Sequence, residues 1–164
     1  MKQLIIIRHA KSDWGNANLR DFDRPLNKRG KTNAPEMAHR LVKKGIKPQL
    51  IVSSPALRAL TTAKFFADTW QMPLSAIQEE PSIYEAPVSS LLNVINNLDN
   101  KFEQIAMFGH NPGLTDLVGY LNGHIYEMPT CGVVILEFPF DDWAMISEGT
   151  GKVVLFDYPK SGQD

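Results

Sequence analysis

The sequence predicts an α/β protein, a three-layer α/β/α sandwich whose mostly parallel central sheet has an antiparallel edge strand. Short apolar or β-branched runs, typical of buried strands, alternate with helical patterns over the first three quarters of the 164 residues. Such alternation favours right-handed βαβ crossovers, with helices on both faces of a parallel sheet. The last strand-like runs follow one another over short turns, which favours antiparallel pairing at one edge.

Each predicted strand corresponds to an apolar run. The first of them, LIII, has no polar residue on either face, which suits the middle of a sheet that is covered on both sides. Immediately after it come an arginine and a histidine, which are poor core residues and indicate that the strand surfaces there. The predicted strands are residues 4–7, 50–52, 105–108, 133–138, 144–146 and 153–156.

Capping residues place the predicted helices. Gly45 is a good C-terminal cap for the first helix, and Pro35 is expected either to kink that helix or to mark its true start. Ser54 and Asn111 each precede a proline, a pair typical of a helix N-terminus. The predicted helices are residues 28–44, 55–70, 88–98 and 112–121.

Composition limits the classes of protein that fit. The length and the absence of linkers predict a single domain over residues 1–158, followed by a loose tail over 159–164. The formal net charge of −1 argues against a nucleic-acid binder. The lone Cys131 and an apolar run too short for a signal peptide or a membrane span predict a cytoplasmic protein with no membrane partner. No spacing typical of a metal site occurs, so neither a metal nor another cofactor is expected.

Three segments share one order, an apolar strand followed by polar residues and then a helix or loop: LIIIRHA, LIVSSPALRALTTA and IAMFGHNPGL. In an open parallel sheet the carboxyl ends of the strands form the ligand crevice. We therefore expect five polar residues to meet at one edge of the sheet: Arg8, His9, Ser53, Arg58 and His110.

The chemistry of these side chains favours a phosphoryl group. Two guanidinium groups beside a helix N-terminus match phosphate better than other anions, so Arg8, Arg58 and Ser53 are the candidate phosphate ligands. A neutral His9 could attack phosphorus and form a covalent phosphohistidine, while His110 could stabilise the charge that builds up on the phosphoryl oxygens.

Two loops add further candidates. Glu85, in SIYEAP, could protonate the leaving group and then activate water. The charged run FDRPLNKRG is interpreted as a solvated loop that leads into a helix. A rim contact to substrate through Arg20, Arg24 or Lys28 is the less favoured alternative.

Five motifs in this order carry a family resemblance: RHAKS, DRPLNKRG, SSPALRALTTA, IYEA and GHNPGL. The set resembles the histidine phosphatase superfamily, which includes phosphoglycerate mutases and acid phosphatases, and is most similar to its small bacterial SixA-like branch of phosphohistidine phosphatases. The resemblance implies a phosphoglycerate mutase-like fold with His9 as the phosphorylated nucleophile. It also implies that Arg8, Arg58 and His110 bind the phosphoryl group and that Glu85 is the candidate proton donor.

The leading hypothesis is a cofactor-independent phosphatase that acts on phosphohistidine of a signalling protein, such as a histidine phosphotransfer domain. Little length remains for a lid over the pocket, and transfer between two imidazoles is chemically near balanced. A phosphatase of a small phosphoester, or less favourably a mutase, is the first alternative; Glu85 favours it because an alkoxide leaving group needs a proton. A non-catalytic phosphoprotein-binding module is the second alternative.

Overall fold

The computed structural model describes residues 1–160 and contains one six-stranded mixed sheet. Its strands are Lys2–Arg8 (β1), Leu50–Ser53 (β2), Ile77–Glu79 (β3), Gln104–Gly109 (β4), Val133–Phe138 (β5) and Lys152–Asp157 (β6). They lie in the order β3-β2-β4-β1-β5-β6. The pairs from β3 to β1 are parallel, whereas β5 pairs antiparallel with both β1 and β6. The mostly parallel sheet with antiparallel strands at one edge confirms the predicted fold class.

Helices cover both faces of this sheet. They are Lys28–Lys43 (α1), Leu57–Thr69 (α2), Val88–Asn96 (α3) and Gly113–Asn122 (α4). Leu4 and Ile6 of β1 belong to the core that includes the apolar residues of α3 and α4. Ile5 and Ile7 belong to the opposite core, with α1 and α2. Because successive strand residues face opposite sides of a sheet, the uninterrupted apolar run of β1 serves both cores.

Two strand assignments differ from the prediction. Residues 144–146 do not form a strand: Trp143–Met145 is a 3₁₀ turn, and the side chain of Asp142 caps it by accepting a hydrogen bond from the backbone of Ala144 at 2.9 Å. As a result, the only antiparallel pairs of the sheet within residues 1–160 are β1–β5 and β5–β6. The short β3 has only one apolar residue and was not predicted.

Helix α1 runs through Pro35 and begins earlier, after the cap residue Asn27, whose side chain accepts a hydrogen bond from the backbone of Gly30 at 2.8 Å. Proline removes one backbone donor, and the carbonyl that loses its partner belongs to the exposed Lys31, where water can replace the bond. Gly45 follows the helix with a φ of 74°, as expected of a residue just past a helix end.

The end of the described chain is held in place as far as Pro159. This residue is buried, and its carbonyl oxygen accepts a hydrogen bond from Arg40 at 2.9 Å, so the predicted loose tail does not begin there. The remainder of that predicted tail, residues 161–164, lies outside the described residues. No helix within residues 1–160 is long and apolar enough to cross a lipid bilayer.

Candidate active site

The carboxyl ends of the central strands meet at one cavity. β1 ends at Arg8 and leads into His9, and its parallel neighbour β4 ends in register with it and leads into His110. Arg58 comes from the first turn of α2, and Glu85 from the loop before α3. All five side chains line a cavity of about 420 Å³. The structure therefore brings together every predicted site residue except Ser53.

His9 lies in the cavity wall with only 6% of its surface exposed. Its Nδ1 atom is 2.7 Å from the carbonyl oxygen of Ala10. A carbonyl oxygen only accepts hydrogen bonds, so Nδ1 carries the proton and Nε2 keeps its lone pair. Burial lowers the pKa of His9 to about 3, and the positive charge of nearby arginines adds to this effect. The imidazole is thus neutral at physiological pH, with one nitrogen available as a nucleophile.

His110 faces His9 across the cavity, with 5.3 Å between the ring centroids. Its Nε2 atom lies 2.7 Å from the hydroxyl of Ser54. Burial lowers the pKa of His110 to about 4, and the positive charge of Arg58 contributes. The buried Nδ1 atom has no hydrogen-bond partner within residues 1–160, so it can bond to a ligand in the cavity.

The two predicted arginines give the cavity its positive charge. Arg8 donates a hydrogen bond to the carbonyl of Met128 at 3.0 Å, and burial followed by the nearby Arg58 lowers its pKa. Arg58 donates to the carbonyl of Asp21 at 2.7 Å and to its carboxylate at 2.9 Å. Within residues 1–160, no three His, Cys, Asp or Glu side chains lie close enough together to hold a metal ion. The charge and the donors of this cavity suit an anion.

Asp21 was not predicted, yet it links three side chains of the site. Its carboxylate accepts hydrogen bonds from Tyr84 at 2.6 Å, from Arg58 at 2.9 Å and from Arg24 at 3.3 Å. Burial raises the pKa of this carboxyl group, but the bonds from Tyr84 and Arg58 together outweigh that effect and lower it. Asp21 is therefore the counter-ion shared by two buried guanidinium groups.

Arg24 is part of the cavity wall and is not a solvated loop residue. It is 7% exposed, donates a hydrogen bond to the hydroxyl of Ser12 and stacks on the ring of Trp14, with 3.3 Å to the ring centroid. Arg20 and Lys28, the other two residues considered for a rim contact, are exposed and lie outside the cavity lining. A contact to substrate, the less favoured interpretation of this charged run, is therefore the one that the geometry supports for Arg24.

Contacts on both sides fix the backbone of Glu85. The preceding residue, Tyr84, bonds to Asp21, and the following residue, Ala86, lies so close to Gly113 of α4 that a Cβ atom there would clash with its carbonyl oxygen. Glu85 itself has a φ of 51°, a left-handed conformation that costs free energy for a residue with a side chain. Glu85 lines both the cavity that contains His9 and an adjoining cavity of about 470 Å³.

Ser53 does not reach the cavity, which corrects its predicted role as a phosphate ligand. It is the last residue of β2, is fully buried, and donates its hydroxyl to the carbonyl of Ser54 at 2.9 Å. Ser54, just past the strand, contacts His110 instead. Ser54 is not the helix cap either, because α2 begins at Leu57 and the Ser54 hydroxyl accepts from the backbone of Ala56 at 3.2 Å.

Comparisons with known proteins found a family model and a relative that match this chain. The family model of the histidine phosphatase superfamily (branch 1) matches residues 4–89. An uncharacterized chloroplastic protein of Arabidopsis thaliana is 32% identical over an alignment length of 154, and the match covers 87% of this chain and 69% of that protein.

Two solved structures share the fold over nearly the whole chain. The protein histidine phosphatase SixA complexed with tungstate is 24% identical with a TM-score of 0.81, and the match covers 96% of this chain and 97% of that one. A mycobacterial glucosyl-3-phosphoglycerate phosphatase complexed with VO3 is 15% identical with a TM-score of 0.74, covering 96% and 100% of the two chains.

Proposed function

The chain belongs to the histidine phosphatase superfamily and is a phosphatase of that family, and from this premise we propose that it removes phosphate from phosphohistidine on a signalling protein, with His9 as the nucleophile. The observation that carries the proposal is the state of His9. Its Nδ1 proton is held by the Ala10 carbonyl, its pKa is about 3, and it lies among cations that attract a phosphoryl group.

In the first step Arg8, Arg58 and His110 bind the phosphoryl oxygens while Nε2 of His9 attacks phosphorus. A P–N bond forms to His9 as the bond from phosphorus to the leaving group breaks. The imidazole of a phosphohistidine protonated on its other nitrogen leaves as a neutral ring, whereas an alkoxide takes up a proton that Glu85 supplies. Arginines placed around the phosphoryl group stabilise the charge that it carries in the transition state.

In the second step a water molecule attacks the phosphorus of phospho-His9. Glu85, as a carboxylate, accepts a proton from this water, the P–N bond breaks and its electron pair returns to Nε2. The products are inorganic phosphate and the neutral His9. Splitting the displacement into two steps needs no metal or organic cofactor.

Two observations support a phosphoprotein substrate. The structurally similar SixA is a protein histidine phosphatase. At the rim of the cavity Trp14 is 77% exposed and covers Arg24 with one face of its ring, which leaves apolar surface for a partner.

A small phosphoester is the second candidate substrate. Glu85 lines the cavity in a strained and well-held position, and an alkoxide leaving group needs a proton donor more than imidazole does. The mycobacterial structure with the same fold is a phosphatase of glucosyl-3-phosphoglycerate.

The test is phosphate release, without added metal, from a phosphohistidine-bearing signalling domain and from a panel of small phosphoesters. Wild type is compared with His9→Ala and with the control His39→Ala, which changes an exposed histidine of α1. Preferential release from the phosphoprotein that is lost only with His9→Ala supports the proposal. Preference for one small phosphoester supports the second candidate. Unchanged turnover in His9→Ala refutes the mechanism. If neither the wild type nor a variant turns over any of the substrates but phosphate still binds, the result favours a binding module.

A further inference from the structure

A third cavity, smaller than the two described above, adjoins the catalytic cavity and has three cationic residues in its lining. Its volume is about 210 Å³, and it shares Lys11 and Thr130 with the catalytic cavity. Its charged lining residues are Lys11, Arg29 and Lys160. All three are exposed, and none of them forms an ion pair with a carboxylate within residues 1–160. We call these three residues and the space between them the basic cavity.

The basic cavity lies against the N-terminus of α1. The backbone of Asn27 donates a hydrogen bond to the carbonyl of Lys11 at 3.0 Å. A Cβ atom on Gly30 would clash with the same carbonyl oxygen. The first turn of α1 is therefore held directly against Lys11, two residues along the chain from His9.

The charges in this turn oppose the stability of the helix. Its residues include Lys28, Arg29 and Lys31, and none of them is acidic. The N-terminus of a helix is the positive end of its dipole, so cations there are unfavourable and carboxylates would be favourable. The helix thus gives up stability and concentrates positive charge beside the catalytic site. Such a concentration is useful where an anion has to be attracted.

We propose that the basic cavity binds a second anionic group of the substrate, a carboxylate displayed beside the phosphohistidine on the surface of the partner protein. This rests on the proposed function, since it names the surroundings of the phosphohistidine that the enzyme prefers. The phosphoryl group enters the catalytic cavity, and the neighbouring carboxylate lies between Arg29 and Lys160. Charge complementarity of this kind raises the association rate and selects among partners.

The test uses two phosphohistidine peptides that differ only in flanking residues, glutamate in one and glutamine in the other. For the wild type, kcat/KM should be about tenfold higher with the glutamate peptide, and the preference should shrink as salt is added. In Arg29→Glu and in Lys160→Glu, the ratio of kcat/KM between the glutamate and the glutamine peptide should fall towards one. We expect the fall to come from a higher KM for the glutamate peptide, with little change in kcat. A wild type that treats the two peptides alike refutes the proposal, as does an Arg29→Glu variant that keeps the full preference.

Lys31→Glu is the matched control. It makes the same charge change in the same helical turn, at an exposed residue that does not line the basic cavity. Both variants should melt at or above the wild-type temperature, because a carboxylate is favourable at a helix N-terminus. The peptide preference should persist in Lys31→Glu and disappear in Arg29→Glu. Equal loss in the two variants would point to a general charge effect and would refute a specific site.

Small phosphoesters separate this proposal from the proposed function. Phosphoglycerate carries a carboxylate, and glycerol phosphate does not. If neither peptide is hydrolysed but the esters are, the proposal of a phosphohistidine substrate is wrong. The comparison of the two esters then still tests whether the basic cavity binds a second anion. Preference for phosphoglycerate that Arg29→Glu abolishes supports binding of a second anion, here from a metabolite. Equal turnover of the two esters by wild type and variant refutes it.

Discussion

Replacement of His9 by asparagine should make the protein less sensitive to acid. In the folded protein the pKa of His9 is about 3, mainly because burial disfavours the charged imidazole, whereas in the unfolded chain it returns to about 6.5. A group whose folded pKa is depressed stabilises the fold fully above its unfolded pKa. That contribution is lost as the pH falls from about 6.5 towards about 3, because the unfolded chain then binds the proton more readily.

The size of the effect follows from the two pKa values. Relative to pH 7, the linkage amounts to a loss of about 2 kcal/mol in the free energy of unfolding at pH 5 and about 3 kcal/mol at pH 4. His9 is only 6% exposed, so little reduction for solvent screening is needed. Asparagine has no proton to gain in this range, and its side-chain amide can donate to the Ala10 carbonyl as Nδ1 does. The variant should therefore lack this component of acid destabilisation.

The assay is urea unfolding of both proteins at pH 7 and at pH 5. The asparagine side chain is smaller, and the resulting cavity lowers the stability of the variant at both pH values, so it cancels in the difference between them. Carboxylates and His110 titrate in both proteins and cancel in the same way. We expect the wild type to lose about 2 kcal/mol more than the variant on acidification. Equal losses would refute the inference that His9 is buried in its neutral form.

Three further predictions concern the surroundings of His9. Asp21→Asn should lower kcat/KM about 10- to 100-fold, because it frees the two arginines of the site from their shared counter-ion. The control Asp23→Asn alters an exposed ion pair in the same turn and should leave steady-state kinetics near wild type. Glu85→Gln should slow a small phosphoester about 10²- to 10⁴-fold and phosphohistidine less, and equal slowing of both would contradict its role as proton donor. Gly30→Ala should lower the free energy of unfolding, measured by thermal unfolding, by about 1–3 kcal/mol, because the added Cβ would clash with the Lys11 carbonyl. Replacing glycine by alanine inside a helix usually raises stability, and such a gain here would contradict the close packing.

The main features of the fold could be predicted because the central strands are apolar on both faces. That pattern in β1 and β4 is typical of the inner strands of a sheet with two covered faces. The short edge strand β3 gives almost no such signal, because only its first residue is apolar. The apolar run at residues 144–146 was misleading because Asp142 caps a 3₁₀ turn there, and a local hydrogen bond of this kind competes with strand pairing.

The candidate site could be predicted where strand ends determine position. His9 and His110 follow two adjacent parallel strands, so topology alone brings them together. Asp21 and Tyr84 lie in connecting segments, whose path depends on tertiary contacts that spacing does not encode. Ser53 does not line the cavity, because the last residue of a covered strand is still inside the sheet.

The order of strands in the sheet also determines when activity can appear during folding. Strand β1 lies between β4 and β5, and its first neighbours in space are distant in sequence, since Leu4 pairs with Ile105 on one side and with Leu136 on the other. Contacts of such long range close slowly, and a nascent chain cannot form them until both later strands have left the ribosome. His9, the proposed nucleophile just after β1, is thus synthesised early but reaches its place among the last events of folding. Recovery of phosphatase activity should accordingly coincide with completion of the sheet, and no shorter N-terminal fragment that lacks β4 should turn over substrate.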